Sequence, residues 1–251
     1  MELPENKKIY FASDNHLGLP HSEASRVREK HFVSWLEHVR KDAAAVYLLG
    51  DLFDFWFEYK TVVPKGFVRV LGKLAELSDS GIPITFFIGN HDLWMRDYFQ
   101  KELNITVYRQ PITLTVGTTR LLIGHGDGLG PGDKGYKRMK KVFTNPFSQW
   151  LFRWLHPDLG VRLGQYLSQK NKFISGEEDV KFLGEDKERL VAYSQKKLKK
   201  EHFDYFVFGH RHLPMEIELN QNSKYINLGD WITHNTYSVF DGTTMKLKTW
   251  K

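Results

Sequence analysis

The 251-residue chain contains no cysteine. That excludes disulfides and thiolate metal ligands, and it suits a reducing compartment. Long apolar runs are missing as well: nothing approaches the ~20 consecutive apolar residues of a membrane span, and Met1 to Lys8 holds no apolar signal-peptide core. The expectation is a cytoplasmic protein, free or held peripherally at a membrane. There is no internal repeat and no low-complexity tract. With 41% hydrophobic and 26% charged residues, the chain suffices for one substantial core plus an insertion and is too short to divide into several domains. Acids are scarce in one stretch. Lys134 to Lys172 holds nine Lys or Arg and only Asp158 opposite them, so it carries +8 in a chain whose total is +6, leaving −2 for the remainder.

What is present is a series of short apolar runs, each followed by polar residues able to bind a metal. The runs are Ile9 to Ala12, Ala45 to Leu49, Ile84 to Ile88, Leu121 to Ile123 and Tyr205 to Phe208. Their β-branched and aromatic content predicts buried strands. After them come Asp14 and His16, Gly50-Asp51, Gly89-Asn90-His91-Asp92, Gly124-His125-Gly126-Asp127 and Gly209-His210-Arg211-His212. Where crossover helices make a sheet parallel, ligands gather outside the carboxyl ends of its strands, and residues two apart on an extended segment share a face. All the clusters can therefore meet.

Asp14, His16, Asp51, Asn90, His125, His210 and His212 are too many ligands for one tetrahedral ion and suit two five- or six-coordinate ions, with Asp51 as the natural bridge because a carboxylate has two oxygens. A carboxylate, amide and imidazole set fits Mn²⁺ best, with Fe, Co or Zn also acceptable. Two such ions can activate water and stabilise an in-line displacement at phosphorus. Any single cluster reads more simply as a turn dipeptide or a satisfied buried histidine. Five in order, each after a strand-like run, do not.

These motifs resemble the calcineurin-like metallophosphoesterases over Asp14 to His212. The resemblance implies a two-sheet α/β/β/α sandwich, with Asp14, His16, Asp51 and His212 around one ion and Asp51, Asn90, His125 and His210 around the other. It further implies that His91 stabilises the transition state or protonates the leaving oxygen, and that Asp92 orients the His91 ring. Gly50 to Trp56, Asp79 to Pro83, His125 to Asp127 and Asp133 to Tyr136 are similar to a narrower branch, the UDP-2,3-diacylglucosamine pyrophosphatases of lipid A synthesis, which release UMP and 2,3-diacylglucosamine 1-phosphate at the cytoplasmic side of the inner membrane. Through that branch Asn90, His91, Asp133, Tyr136, Ser168, Asn171, Lys172 and His210 become candidate substrate contacts. One position departs: the best-known enzymes of the branch have arginine after the Gly-Asn pair, where this chain has His91. A phosphodiesterase or phosphatase acting on a nucleotide or other phosphorylated metabolite is the alternative. A metal-free interaction scaffold would require lost ligands, and none of the seven is lost.

Periodicity predicts helices over Ser22 to about Lys41, with Val27, Phe32, Trp35, Leu36 and Val39 on one face, and over Phe67 to Leu77. Leu114 to Leu122 reads as a hairpin, and so does Ser238 to Lys248, turning at Asp241-Gly242. Between about 134 and 200 helical patterns follow one another without a strand, which predicts a helical cap inserted in a single domain. Phe143, Phe147, Trp150, Leu151, Trp154 and Leu155 recur there at helical spacing among the cations. A helical hairpin packed on the core would explain them, and so would an acyl-chain groove or a surface facing an anionic membrane. Phe53, Phe55, Trp56, Phe57 and Tyr59 read as core, with their place beside Asp51 favouring a pocket. No pattern points to nucleic acid, and no obligate protein partner is expected.

Overall fold

The structure, a computed structural model, describes residues 1–179, 182 and 184–251; within that range the side chains of 169–179 and 186 fall outside the description. The strands are β1 (Lys8–Ala12), β2 (Ala43–Leu48), β3 (Ile84–Phe87), β4 (Thr106–Tyr108), β5 (Ile112–Val116), β6 (Thr119–Gly124), β7 (Tyr205–Phe208), β8 (Pro214–Asn220), β9 (Ser223–Leu228), β10 (Thr236–Phe240) and β11 (Met245–Thr249). One sheet runs β11-β10-β1-β2-β3-β4, with β1 to β4 parallel, and the other runs β5-β6-β7-β9-β8, with β6, β7 and β9 parallel.

Strand alternation builds the layers. Ile9 and Phe11 of β1 join Ala45, Tyr47, Phe87, Leu121, Ile123, Val207 and Ile226 in a core between the sheets. Tyr10 and Ala12 face the other way, into a core shared with helices α1 (Ser22–Val39) and α2 (Val68–Asp79). Behind the second sheet, Phe206, Phe208 and Tyr225 pack on Leu190 and Val191 of a helix at Arg189–Leu198. The result is the four-layer α/β/β/α sandwich, and because both sheets have parallel centres, the carboxyl ends of β1, β2, β3, β6 and β7 share one edge.

Two local expectations need correction. Val27 is 66% exposed, and Ser25, Arg28 and Glu29 take the inner side of α1 in its place. The buried side of that turn is polar because Arg28 donates to the carbonyls of His16 and Leu19, and Glu29 accepts from the amides of Arg69 and Val70. The second hairpin pairs Phe240 with Met245, so its loop has four residues rather than two. There the Asp241 carboxylate caps the amides of Thr243 and Thr244, an alternative that short polar side chains offer to a two-residue turn.

Between β6 and β7 the described residues form only helical elements: α3 (Tyr98–Glu102) precedes them, and then come α4 (Lys134–Phe143), α5 (Pro146–Arg153), α6 (Pro157–Asp179) and α7 (Arg189–Leu198). Four side chains hold α4 down. Tyr136 and Lys140 of α4 each reach buried Asp127 at 2.5 Å, Lys137 donates to the Gly130 carbonyl, and Trp94 Nε1 donates to the Phe143 carbonyl. No described helix is long and apolar enough to cross a membrane.

Candidate metal centre

The loops after the parallel strands are held together through backbone groups. Asp14 N–H donates to Gly50 O, His16 N–H to Asp51 O, and Gly209 N–H to His125 O. Asp14, His16, Asp51 and His210 all adopt left-handed backbone, with φ of 57°, 45°, 54° and 72°. Non-glycine residues avoid that region, and strain of this kind gathers where a structure must aim particular side chains. Close approach explains two glycines. A Cβ on Gly89 would run into the Asp51 carboxylate, and one on Gly209 into Asp14 and Ser13.

The ligand atoms fall into two overlapping groups. In the first, His16 Nε2 is 3.0 Å from His212 Nε2 and 3.7 Å from both Asp14 Oδ1 and Asp51 Oδ2, and His212 Nε2 is 3.4 Å from Asp14 Oδ1. In the second, Asn90 Oδ1 lies 3.0 Å from His125 Nε2 and 2.9 Å from His210 Nδ1, with Asp51 Oδ2 3.3 Å from His125 Nε2. Asp51 thus belongs to both groups, and it reaches both through Oδ2. Its other oxygen accepts the His91 N–H at 2.9 Å, so the two-oxygen bridge read from the sequence is not what the geometry offers.

This donor set fits divalent cations. Asp14 Oδ1 is buried and has no hydrogen-bond partner among the described residues. Two ring nitrogens at 3.0 Å suit neighbouring ligands of one ion, whose bonds to imidazole are ~2.1 Å. The groups Asp14, His16, His212 and Asp14, Asp51, His125 each place one ligand atom per residue within 4.8 Å of the others. Outer partners aim the rings. His125 Nδ1–H donates to Leu49 O at 2.7 Å, which turns the Nε2 lone pair toward Asn90 and Asp51. His16 Nδ1 lies 3.5 Å from Asp54 Oδ1.

The electrostatics agree. Burial opposes charge on Asp14, yet the facing imidazoles of His16 and His212 hold its carboxyl well below the ordinary range. Burial likewise opposes charge on His125, but Asp51 and then Asp14 lift it to about 10. Buried carboxylates at this density draw positive charge in, from protons or from metal.

Among the catalytic candidates, His91 lines the cavity beside these groups. Asp92 does not orient its ring. The Asp92 oxygens accept the amides of Gly89 and Leu52, and burial together with the Asp51 charge pushes its carboxyl well above the usual range. The His91 ring is held instead by Asp54, whose carbonyl oxygen is 2.9 Å from Nδ1, and by Ser168 Oγ at the same distance. Sequence reasoning missed Asp54. The available signal was a second carboxylate three residues beyond Asp51.

The cavity has a volume of about 700 Å³. Asp51, Asn90, His210 and His212 of the candidate ligand loops line it on one side, and Phe55, Trp94, Phe143, Phe152 and Leu167 make an apolar wall on the way to the cap. The aromatic residues after Asp51 divide accordingly: Phe53, Trp56 and Phe57 are buried in the core, Trp56 also bordering the cavity, whereas Phe55 lines it from a half-buried position. Asp133 and Tyr136 both line it while engaged with Arg189 and Asp127 respectively. Ser168 is at the cavity, and the side chains of Asn171 and Lys172 lie outside the described residues. The cap stripe has two faces. Phe143 and Phe152 pack on Trp94, whereas Phe147, Trp150, Leu151 and Trp154 are 64%, 50%, 50% and 75% exposed.

Several known proteins are similar to this chain. A UDP-2,3-diacylglucosamine hydrolase of Porphyromonas gingivalis is 40% identical over 96% of this chain and 97% of its own length. Proteins of the same name from Edwardsiella ictaluri and Vibrio parahaemolyticus are 27% and 28% identical, each over 90% of this chain and over 85% and 91% of their own. Among solved structures, a phosphoesterase from E. coli overlaps 97% of this chain and 93% of its own at 17% identity and a TM-score of 0.49. Residues 7–214 match the calcineurin-like phosphoesterase family model across all the ligand-bearing loops, and the chain belongs to that family.

Proposed function

We propose that the chain is a dinuclear-metal hydrolase that cleaves the diphosphate of UDP-2,3-diacylglucosamine to UMP and 2,3-diacylglucosamine 1-phosphate, with Mn²⁺ as the preferred metal. The observation that carries this reading is the cavity itself. Candidate ligands for two ions line one side of it and an apolar aromatic wall stands beside them, which suits a substrate with a diphosphate between a nucleoside and two acyl chains. The relatives' shared name and near-complete overlap support it.

Asp14, His16, His212 and Asp51 would hold one ion, and Asn90, His125, His210 and Asp51 the other. When bound, the pair supplies an activated water and neutralises phosphoryl charge. The protein does the rest. Leu49 O fixes the ring orientation of His125, the Asp54 carboxylate stands beside the His16 ring, the Asp51 Oδ1 contact fixes the backbone of His91, and the cavity wall orients the acyl part. With the ring doubly protonated, so that Nδ1–H still points at Asp54 O, His91 donates from Nε2 a hydrogen bond or a proton to the departing phosphate oxygen as the anhydride bond breaks. Work at the cytoplasmic face of the inner membrane, with the exposed aromatic face of the cap against an anionic surface, is part of the same proposal.

The test is UMP release from UDP-2,3-diacylglucosamine in detergent, beside free nucleotides and a generic aryl phosphodiester. Turnover of the lipid well above that of the others is expected. Equal or faster turnover of a nucleotide would favour the alternative of a nucleotide phosphodiesterase or phosphatase.

A further inference from the structure

Ser168 belongs to α6 of the cap and stands 77 positions from His91 in sequence, yet its hydroxyl oxygen lies 2.9 Å from His91 Nδ1. The same oxygen is 2.9 Å from Asp54 Oδ2 and 3.0 Å from Asp54 O. Asp54 O is itself 2.9 Å from His91 Nδ1. A carbonyl oxygen only accepts, so Nδ1 is the protonated nitrogen of the ring. The Ser168 hydrogen then goes to the Asp54 carboxylate while its oxygen accepts from Nδ1–H. With Nδ1 committed as a donor, Nε2 is left for the substrate and donates to it when the ring carries its second proton.

The helix is seated so that this contact follows from its docking. Gly160 and Gly164 are buried, and a Cβ at either would meet the Tyr59 hydroxyl or the Phe55 ring. Residues 160, 164 and 168 lie one turn apart on one helix face. That face therefore presses its backbone against the segment from Asp51 to Tyr59, the segment that carries Asp54, and Ser168 arrives next in line. We infer that Ser168 is a positioning residue: docking of the cap helix delivers the hydroxyl that accepts from His91 Nδ1–H and fixes the orientation of the ring, so the transition-state group is complete only with α6 in place. A direct substrate contact, as expected from the sequence, is a different role. The inference rests on the reading of His91 given under the proposed function.

The experiment is a double-mutant cycle on the metal-loaded enzyme, with Ser168→Ala, His91→Ala and both together, followed on the diacylated substrate and on a small aryl phosphodiester. Ser168→Ala is expected to lower kcat roughly 10- to 100-fold on both substrates, as for a misplaced reacting group, with KM and metal content little changed. Ser168→Thr restores most of the loss because it keeps the hydroxyl. In the His91→Ala background, Ser168→Ala adds no further loss, since there is no ring to place. A raised KM confined to the lipid substrate, or full additivity with His91→Ala, would overturn the inference in favour of a substrate contact. Full activity of Ser168→Ala beside an inactive His91→Ala would overturn this inference alone. Full activity of His91→Ala would remove the reading of His91 and this inference with it.

Discussion

At the scale of single residues, the site is built from groups that ordinary folding preferences disfavour, and the cost marks where function sits. Asp51 is held at φ 54° with its carboxylate 1% exposed, and its one free-facing oxygen, Oδ2, serves both ligand groups. Asp51→Ala should therefore lose metal pairing, with elemental analysis falling from about two ions per chain to one or fewer. Asp51→Gly should lose it equally but leave a more stable metal-free protein than Asp51→Ala, by roughly 1 kcal/mol, because only glycine adopts that backbone without penalty. Denaturant unfolding of the two apo variants would decide it, and equal midpoints would contradict the strain argument. His91→Ala separates chemistry from binding. It should keep both metals and lower kcat about 10²-fold or more, and unchanged turnover would end its catalytic assignment. The clusters that the fold brings together were legible because a polar cluster after an apolar run is a local pattern. Asp92 misled because adjacency in sequence suggested adjacency to the ring, whereas the chain turns there and points the carboxylate back at the amides of Gly89 and Leu52.

At the scale of elements, the strands that feed the site were readable from period and composition, and Tyr205–Phe208 matches its predicted run from end to end. Helix faces were less so. A residue on the flank of a stripe, such as Val27, is turned inward or outward by what its neighbours hydrogen-bond, and Arg28 and Glu29 have partners far along the chain. Contacts such as Arg211 with Glu188, at 2.9 and 3.0 Å, have no signature in spacing at all. The same holds for the anchor of α4. Asp127 is 6% exposed and shares one oxygen between Tyr136 and Lys140. Breaking a buried pair from one side leaves an uncompensated charge, so Lys140→Met should cost about 2 to 3 kcal/mol, near the low end of such losses because the lysine is partly exposed. Adding Asp127→Asn should recover part of that cost by removing the stranded charge. Chemical denaturation of the single and double variants checks this, and an undiminished midpoint for Lys140→Met would mean that α4 is held by its other contacts alone.

At the scale of the whole molecule, charge and exposed apolar surface are concentrated in the cap, and the structure separates the cations that hold it together from those that face outward. Lys137 and Lys140 are tied to Gly130 and Asp127, so neither is free to meet a surface. Lys134, Arg138, Lys141 and Arg162 are exposed, and so are Phe147, Trp150, Leu151 and Trp154. Apolar side chains of that size left in water are the unusual part, since a cap serving only as a packed hairpin would bury them. On the proposed reading the two sets would meet an anionic bilayer, where each cation near the leaflet contributes on the order of 1 kcal/mol and the attraction fades over ~8 Å at physiological salt. Replacing Arg138, Lys141 and Arg162 with Gln should weaken binding to vesicles containing anionic lipid, more so at low salt, and raise KM for the diacylated substrate. Trp150→Ser with Trp154→Ser should weaken binding at every salt concentration. Neither set touches the metal ligands, so hydrolysis of a small aryl phosphodiester should stay within about twofold of the parent. Binding that ignores both salt and these substitutions would remove the membrane from the account of the cap, and equal losses on both substrates would show that the face supports the fold instead.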